Sequence, residues 1–266
     1  MGSDRSAALA SLIEDLAAEV GDLAAIVDPL SAGDLNVGTP ASGWTIADQI
    51  GHLAAFDQNG ARAIEDPDAF RSEVAELVAN GADPVGDAVT AARRLEATAV
   101  RDWWHEASAR MRRAALQLDA DHRIPWYGPD MGARSFVTAR LMEIWAHGHD
   151  VRDALGVAPA VSDRLRHVVD LGVRARPYAY AVRGRPVPET ALRVEAISPS
   201  GLVWTWGPPD AVDVVRGTAL DLSLLVTQRR HRSDLELDVS GPAATEWVSF
   251  AQAFAGPAGP GRPPQG

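Results

Sequence analysis

The 266-residue chain contains no cysteine. This rules out disulfides, thiolate metal ligands and a cysteine nucleophile. Lysine is absent as well. All 25 basic residues are arginine, so neither a Schiff-base lysine nor a phosphate-loop lysine is available. No window holds the roughly eighteen continuous apolar residues of a membrane span. The N-terminal stretch has no charged-then-apolar leader pattern, because Asp4, Glu14, Asp15 and Glu19 interrupt it at helical spacing. A cytoplasmic location is the expectation. Also missing are a Gly-rich nucleotide loop, G-x-S-x-G and H-E-x-x-H. Positive charge is in deficit too. The formal net charge of −11 opposes binding to nucleic acid or to an anionic membrane. What remains is an ordinary globular composition, 46% hydrophobic and 23% charged, in a chain long enough for two domains. The Arg-only, Ala-rich usage points to a GC-rich genome of actinobacterial type.

Apolar periodicity predicts helices over residues 5–30, from Thr45 to about 64, over 67–81, over one long stretch 85–118, and from Ser135 to just before Gly156. Thr45 followed by Asp48 is a capping box. The segments 31–44 and 123–136 are rich in Gly and Pro and read as loops. Long helices with short connections imply an up-and-down bundle. The pattern changes after residue 156. A helix at 162–176 precedes two β-type runs, 192–198 and 202–207, joined by the turn signal Pro199-Ser200-Gly201. Further strands are predicted at 213–217 and 235–241, and helices at 218–230 and 242–254. The Gly/Pro-rich end reads as disordered. The expected organisation is an all-α domain over 1–158, a smaller α/β domain over 159–255 and a tail over 256–266, an α+β protein overall.

The helix containing LMEIWAHGHDV raises a chemical question. Its faces are apolar except for one narrow stripe formed by Arg140, Glu143, His147 and Asp150. His149 points away from that stripe. Either the stripe faces solvent, or it faces the bundle interior, where unpaired charge is costly. A metal would be a sufficient partner, since bundle cores hold metals on inward His and Glu. A third ligand is available in His52, which lies mid-helix among Ile50, Leu53, Ala54 and Phe56. Taken alone, such a histidine is more often a hydrogen-bonded core residue. Two His and one Glu leave coordination open, as in a catalytic zinc site. Nickel, iron or manganese would also accept that set. Trp126 and Tyr127, in the loop before this helix, line a pocket mouth or cover the end of the bundle. Arg134 binds an anionic substrate or pairs with an acid. Arg140, one turn before Glu143, is placed to hold that carboxylate.

The stretches GWTIADQIGHLAAFD and ARLMEIWAHGHDV resemble the DinB/YfiT-like superfamily, and most closely the branch of mycothiol-dependent maleylpyruvate isomerases. The resemblance continues through RGTALDLSLLVTQRRHRSDLELDVSGPAATEW and so covers most of the chain. The stretch RIPWYGPDMGARSF and the end AQAFAGPAGPGR resemble an actinobacterial metal-binding subgroup. The resemblance implies a DinB-like four-helix bundle, with His52, Glu143 and His147 as metal ligands and a C-terminal α/β domain that closes over them. It also implies that Arg229 holds a substrate carboxylate. Where family members show Gly-Arg, this chain has Gln228-Arg229-Arg230-His231-Arg232, so which of Arg229, Arg230 and Arg232 faces the site is open. A second family arginine has three competing matches, Arg93, Arg94 and Arg101.

The implied function is a metal-dependent enzyme, with mycothiol as thiol cofactor, that isomerises or transfers a group on a small anionic unsaturated substrate. In such enzymes the thiolate adds to a cis double bond, the bond rotates and the thiol leaves. Two other readings stand beside it: a thiol-independent metal-dependent hydrolase, hydratase or lyase, and a non-catalytic metal- or ligand-binding protein. The expected assembly is a monomer or a homodimer.

Overall fold

The computed structural model describes residues 2–265. The chain divides into two compact units, one ending at Ala160 and one beginning at Val161.

The first unit is helical. It contains α1 (Gly2–Val27), α2 (Ala32–Leu35), α3 (Ile46–Glu65), α4 (Pro67–Ala79), α5 (Pro84–Ala92), α6 (Ala97–Ala115), a two-residue ribbon of β1 (Arg123–Ile124) and β2 (Met131–Gly132), and α7 (Ala133–Leu155). The four long helices form a closed ring of contacts: α1 packs on α7, α7 on α3, α3 on α6 and α6 on α1. The core is apolar, with Leu16, Leu23, Ile50, Leu53, Trp104, Met111, Leu141 and Ile144 all buried. Thr45 caps α3 as the sequence predicts. Its hydroxyl accepts from the Asp48 amide, and the Asp48 carboxylate accepts from the Thr45 amide.

The single long helix expected over 85–118 is two helices. α5 ends at Ala92 and α6 begins at Ala97. No Gly or Pro marks the break; tertiary contacts impose it. Ala92 sits so close to Gly51 that a methyl group at 51 would lie 2.2 Å from the Ala92 Cβ. Next along the chain, Arg93 grips the Asp48 carboxylate through two bonds of 2.9 Å and the Gly43 carbonyl at 2.6 Å. The loop predicted over 123–136 holds the short antiparallel ribbon, and α7 starts two residues earlier than expected.

The second unit contains α8 (Leu165–Arg174), α9 (Arg176–Ala181), β3 (Leu192–Ile197), β4 (Val203–Trp206), β5 (Asp213–Thr218), α10 (Ala219–Val226), β6 (Asp238–Ser240) and α11 (Pro242–Val248), with one 3₁₀ turn at Arg232–Asp234. Its sheet has the order β4-β3-β5-β6, with β3 and β5 parallel and the other pairs antiparallel. The β3–β4 hairpin forms at the predicted turn, where Gly201 takes φ +83°, a value that favours glycine. α9 was not anticipated; Pro177 begins a new helix there instead of prolonging α8. α11 stops at Val248 rather than near 254. Its N-terminus is capped from a distance by buried Asp213, whose Oδ1 accepts from the Ala243 and Ala244 amides at 2.7 and 3.0 Å. Residues 256–265 carry no regular structure. They are nonetheless tied at both ends: Tyr178 exchanges hydrogen bonds with the Gly256 backbone, and the Gln265 amide donates to Asp234.

Candidate metal centre

α3 and α7 each present a stripe of side chains at helical spacing. On α7 it is Arg140, Glu143, His147 and Asp150. On α3 it is Gln49, His52, Phe56 and Asn59. The two helices pack together, and the stripes meet. One donor atom each from His52, Glu143 and His147 lies within 4.8 Å of the others. Glu143 Oε2 is the focus, 3.1 Å from His147 Nε2 and 3.4 Å from His52 Nε2. Ligands held about 2.05 Å from a tetrahedral ion are separated by roughly 3.3 Å. The two measured separations bracket that value.

Hydrogen-bond direction can be followed into this cluster from a fixed end. The Trp44 carbonyl can only accept, and Thr39 Oγ1 donates to it at 3.0 Å. Gln49 Nε2 then donates to Thr39 Oγ1 at 2.9 Å. This fixes the Gln49 amide with its oxygen toward His147, 2.5 Å from Nδ1. His147 therefore carries a proton on Nδ1. Its Nε2 then faces a Glu143 carboxylate oxygen 3.1 Å away. A proton or a cation between these two atoms satisfies both. His52 Nε2 converges on the same point, and its Nδ1 is buried without a hydrogen-bond partner.

The protonation states suit ligation. Burial, reinforced by the neighbouring His147, pushes the His52 pKa down to about 4, so its imidazole is neutral at physiological pH. Burial alone would raise the Glu143 pKa. The hydrogen bonds from His147 and His52 outweigh it and hold the carboxyl well below its usual range. The donor set of two imidazoles and one carboxylate fits a divalent ion and leaves coordination open.

Aromatic rings frame the cluster. Trp44 stacks on His147, with ring centroids 6.1 Å apart and planes 16° apart, and lies 5.6 Å from His52. Phe56 lies 4.5 Å from His52 on another side. Beyond Phe56 come Trp126 and Tyr127, at 6.2 and 5.7 Å, both half-buried. Tyr127 is fixed by Asn59, which donates to its hydroxyl at 2.7 Å. Trp126 and Tyr127 thus reach the centre through Phe56 and also pack on Phe70.

The arginines fall out differently. Arg140 is almost fully buried, and its Nε and Nη2 donate to Asp57 Oδ1 at 3.0 and 2.9 Å rather than to Glu143. The pairing expected between Arg140 and Glu143 is replaced because Asp57, buried on α3, holds the guanidinium. Arg134 is exposed on the first turn of α7, nine residues from Glu143, or about 13 Å along the helix. Of the three competing arginines, Arg93 is committed to Asp48 and Arg101 to the Asp28 and Leu30 carbonyls, while Arg94 is exposed. Arg229 belongs to the second unit, just after α10, where its Nη1 donates to the Thr227 carbonyl at 2.7 Å. His149 lies off the stripe, stacked on Trp145 with Asp153 at 3.5 Å.

Gln49, Asp57, Trp44 and Phe56 were not singled out in the sequence. The spacing 49, 52, 56, 59 on α3 repeats that of 140, 143, 147, 150 on α7, so the same stripe argument applied to α3 would have found Gln49 and Phe56.

Known proteins bear on this geometry at three levels. Two uncharacterized proteins of Mycobacterium tuberculosis, from strains CDC 1551 / Oshkosh and ATCC 25618 / H37Rv, are each 43% identical over 250 residues, covering 94% of this chain and 97% of theirs. Crystal structures of the mycothiol-dependent maleylpyruvate isomerase share the fold. One, a histidine-to-alanine mutant, superposes with a TM-score of 0.60 at 15% identity over 87% of this chain and 92% of its own. Another gives 0.59 at 14% identity over 88% and 96%. Among the described residues no helix is long and apolar enough to cross a membrane. Residues 16–152, which carry all three donors of the cluster, match the family described as "Mycothiol maleylpyruvate isomerase N-terminal domain", and the chain belongs to that family.

Proposed function

We propose that this protein is a metal-dependent enzyme that uses a thiol cofactor, mycothiol, to isomerise or transfer a group on a small anionic, unsaturated substrate. The observation that carries the reading is the convergence of three donors on one point at ligand spacing, framed by aromatic rings. Family membership supports the choice of thiol.

His52, Glu143 and His147 would hold a divalent ion, zinc before nickel, iron or manganese. Such an ion supplies Lewis acidity that makes a thiolate available at neutral pH. The protein's own groups do the rest. Gln49 keeps the His147 Nε2 lone pair directed inward. Trp44 and Phe56 exclude water from both imidazoles. Phe56, Trp126 and Tyr127 present apolar faces to the unsaturated part of a substrate. Buried Asp57–Arg140 fixes α3 against α7 and so the separation of the ligands. On the family resemblance Arg229 takes a substrate carboxylate, and Arg134, exposed at the start of α7, is a second candidate for an anion. The chemistry balances without a further reactant: the thiol adds to an electron-poor cis double bond, rotation occurs about the resulting single bond, and the thiol is expelled from the trans product.

The test is a paired assay of metal-loaded protein on cis-enoyl diacids, with and without mycothiol. Turnover that requires the thiol and is lost in Glu143→Ala supports the reading. Turnover that is the same without thiol replaces it with water-based hydrolase, hydratase or lyase chemistry.

A further inference from the structure

A cleft of about 790 Å³ lies wholly within the second unit. Arg183, Arg185, Arg230, His231, Arg232 and Arg262 line it, and no aspartate or glutamate does among the described residues. The size is that of a small-molecule site. Arg229 is not part of its wall.

The fold builds this concentration of charge. Gln228, at the end of α10, takes φ +56°, and it is the one non-glycine residue among those described with positive φ. Its side chain is tied to the Ala251 carbonyl at 3.1 Å. That left-handed turn directs the Arg-His-Arg run that follows along the cleft. Strained backbone of this kind persists where the surroundings hold it, and it concentrates at ligand sites. On another wall Phe250 lies beneath two guanidiniums, Arg183 at 4.9 Å and Arg185 at 5.3 Å from the ring centroid.

The charges are incompletely balanced. Arg185 pairs with Glu246 at 3.1 Å. Arg183 and Arg232 are both part-buried, and each holds only neutral acceptors. Arg183 donates to the Ala179 carbonyl and to Gln252 Oε1. Arg232 donates to the Leu235 and Leu237 carbonyls. Neutral oxygens satisfy some of the five N–H groups of a guanidinium and none of its charge. Burial, with Arg185 nearby, lowers the Arg183 pKa, the response of a cation lacking a counter-ion. Guanidiniums fixed by backbone carbonyls and an aromatic face are pre-organised for planar, bidentate binding of carboxylate or phosphate oxygens. Leu225, Val239 and Val248 add an apolar floor.

We propose that this cleft is a binding site for a small organic polyanion, a molecule that carries two or more carboxylate or phosphate groups on a compact apolar frame. The inference rests on residues of the second unit alone and needs no metal.

The experiment is calorimetric titration of the full-length protein with citrate and, separately, with pyrophosphate, against sodium chloride of matched ionic strength. The expected result is saturable one-site binding of at least one polyanion, weakened by salt. Citrate alone assigns a polycarboxylate, and pyrophosphate alone a phosphate compound. Arg232→Gln and Arg183→Gln should each weaken binding at least tenfold. Arg185→Gln, at an exposed position, should weaken it severalfold and serves if a buried variant fails to fold. Arg113→Gln, on the surface of the first unit, and His52→Ala should leave it unchanged. Absence of saturable binding by both probes overturns the proposal, as does equal binding in the cleft variants. Loss of binding in His52→Ala also overturns it, by moving the anion to the metal cluster.

Discussion

Replacing Gln49 with Leu tests the reasoning at the metal centre without touching a proposed ligand. Leu is close to Gln in size and apolar, and the position is fully buried. The change removes one acceptor, the Oε1 that holds His147 Nδ1–H at 2.5 Å, and one donor, to Thr39. Without the acceptor, His147 no longer has to keep a proton on Nδ1, and its Nε2 is no longer held toward the cluster. Outer partners of metal-bound histidines are worth about 10- to 100-fold in affinity, or about 1.4–2.8 kcal/mol at 1.36 kcal/mol per tenfold. Leaving a buried Nδ1–H unpaired destabilises the metal-free fold by about 1–3 kcal/mol. The assay is competition for zinc against a chromophoric chelator, using protein stripped of metal and checked by circular dichroism. Gln49→Glu is the companion variant. It keeps an acceptor toward His147 and should recover most of the affinity that Gln49→Leu loses. A Leu variant that folds normally and binds zinc within about threefold of wild type would refute the hydrogen-bond chain, and with it the assigned direction of His147.

His52→Ala and Glu143→Ala each remove one of three protein donors and should each release most of the metal. Elemental mass spectrometry of tag-free protein, about one equivalent in wild type and little in either variant, checks this. In metal-free protein, His52 titrates near 4 when folded against an ordinary 6.5, so the unfolded chain takes up the proton first. Stability should therefore fall as pH drops from about 6.5 to about 4, by up to roughly 3 kcal/mol. Glu143, with its pKa held low, adds acid sensitivity only below its ordinary range. Urea melts of apo wild type and apo His52→Phe across that range should show a flatter dependence in the variant. Asp57→Ala leaves the Arg140 guanidinium buried without its partner and should cost about 3–5 kcal/mol. The double variant Asp57→Leu/Arg140→Met should be markedly less destabilised in the same melts.

Much of the first unit was legible because its signals are local. The capping box at Thr45, the apolar periodicities and the polar stripe on α7 each depend on residues within a few turns of one another. The break between α5 and α6 was not legible, because its causes are a close approach of Ala92 to Gly51 and the reach of Arg93 to Asp48, both fixed by the packed bundle. Arg140 shows the same limit. Sequence spacing offered Glu143, one turn away, and the fold offered Asp57 on a facing helix with geometry for two hydrogen bonds. In the second unit the β3–β4 hairpin was readable from its turn, whereas α11 ended early.

The polar groups of α7 also explain each other's presence. A carboxylate at 143 is tolerable at this depth only because two imidazoles meet it, and burial keeps the His52 imidazole neutral. The carboxylate at 57 is burdened by burial, which raises its pKa, and Arg140 offsets this. Each of these residues is a liability alone, and removing one leaves a charge or a lone pair without its complement. A surface ion pair shows no such dependence, since water replaces the missing partner. The arrangement is therefore held together as a unit. Single substitutions in the stripe should cost more than the sum of the contacts they delete, and double substitutions across α3 and α7 should be less than additive.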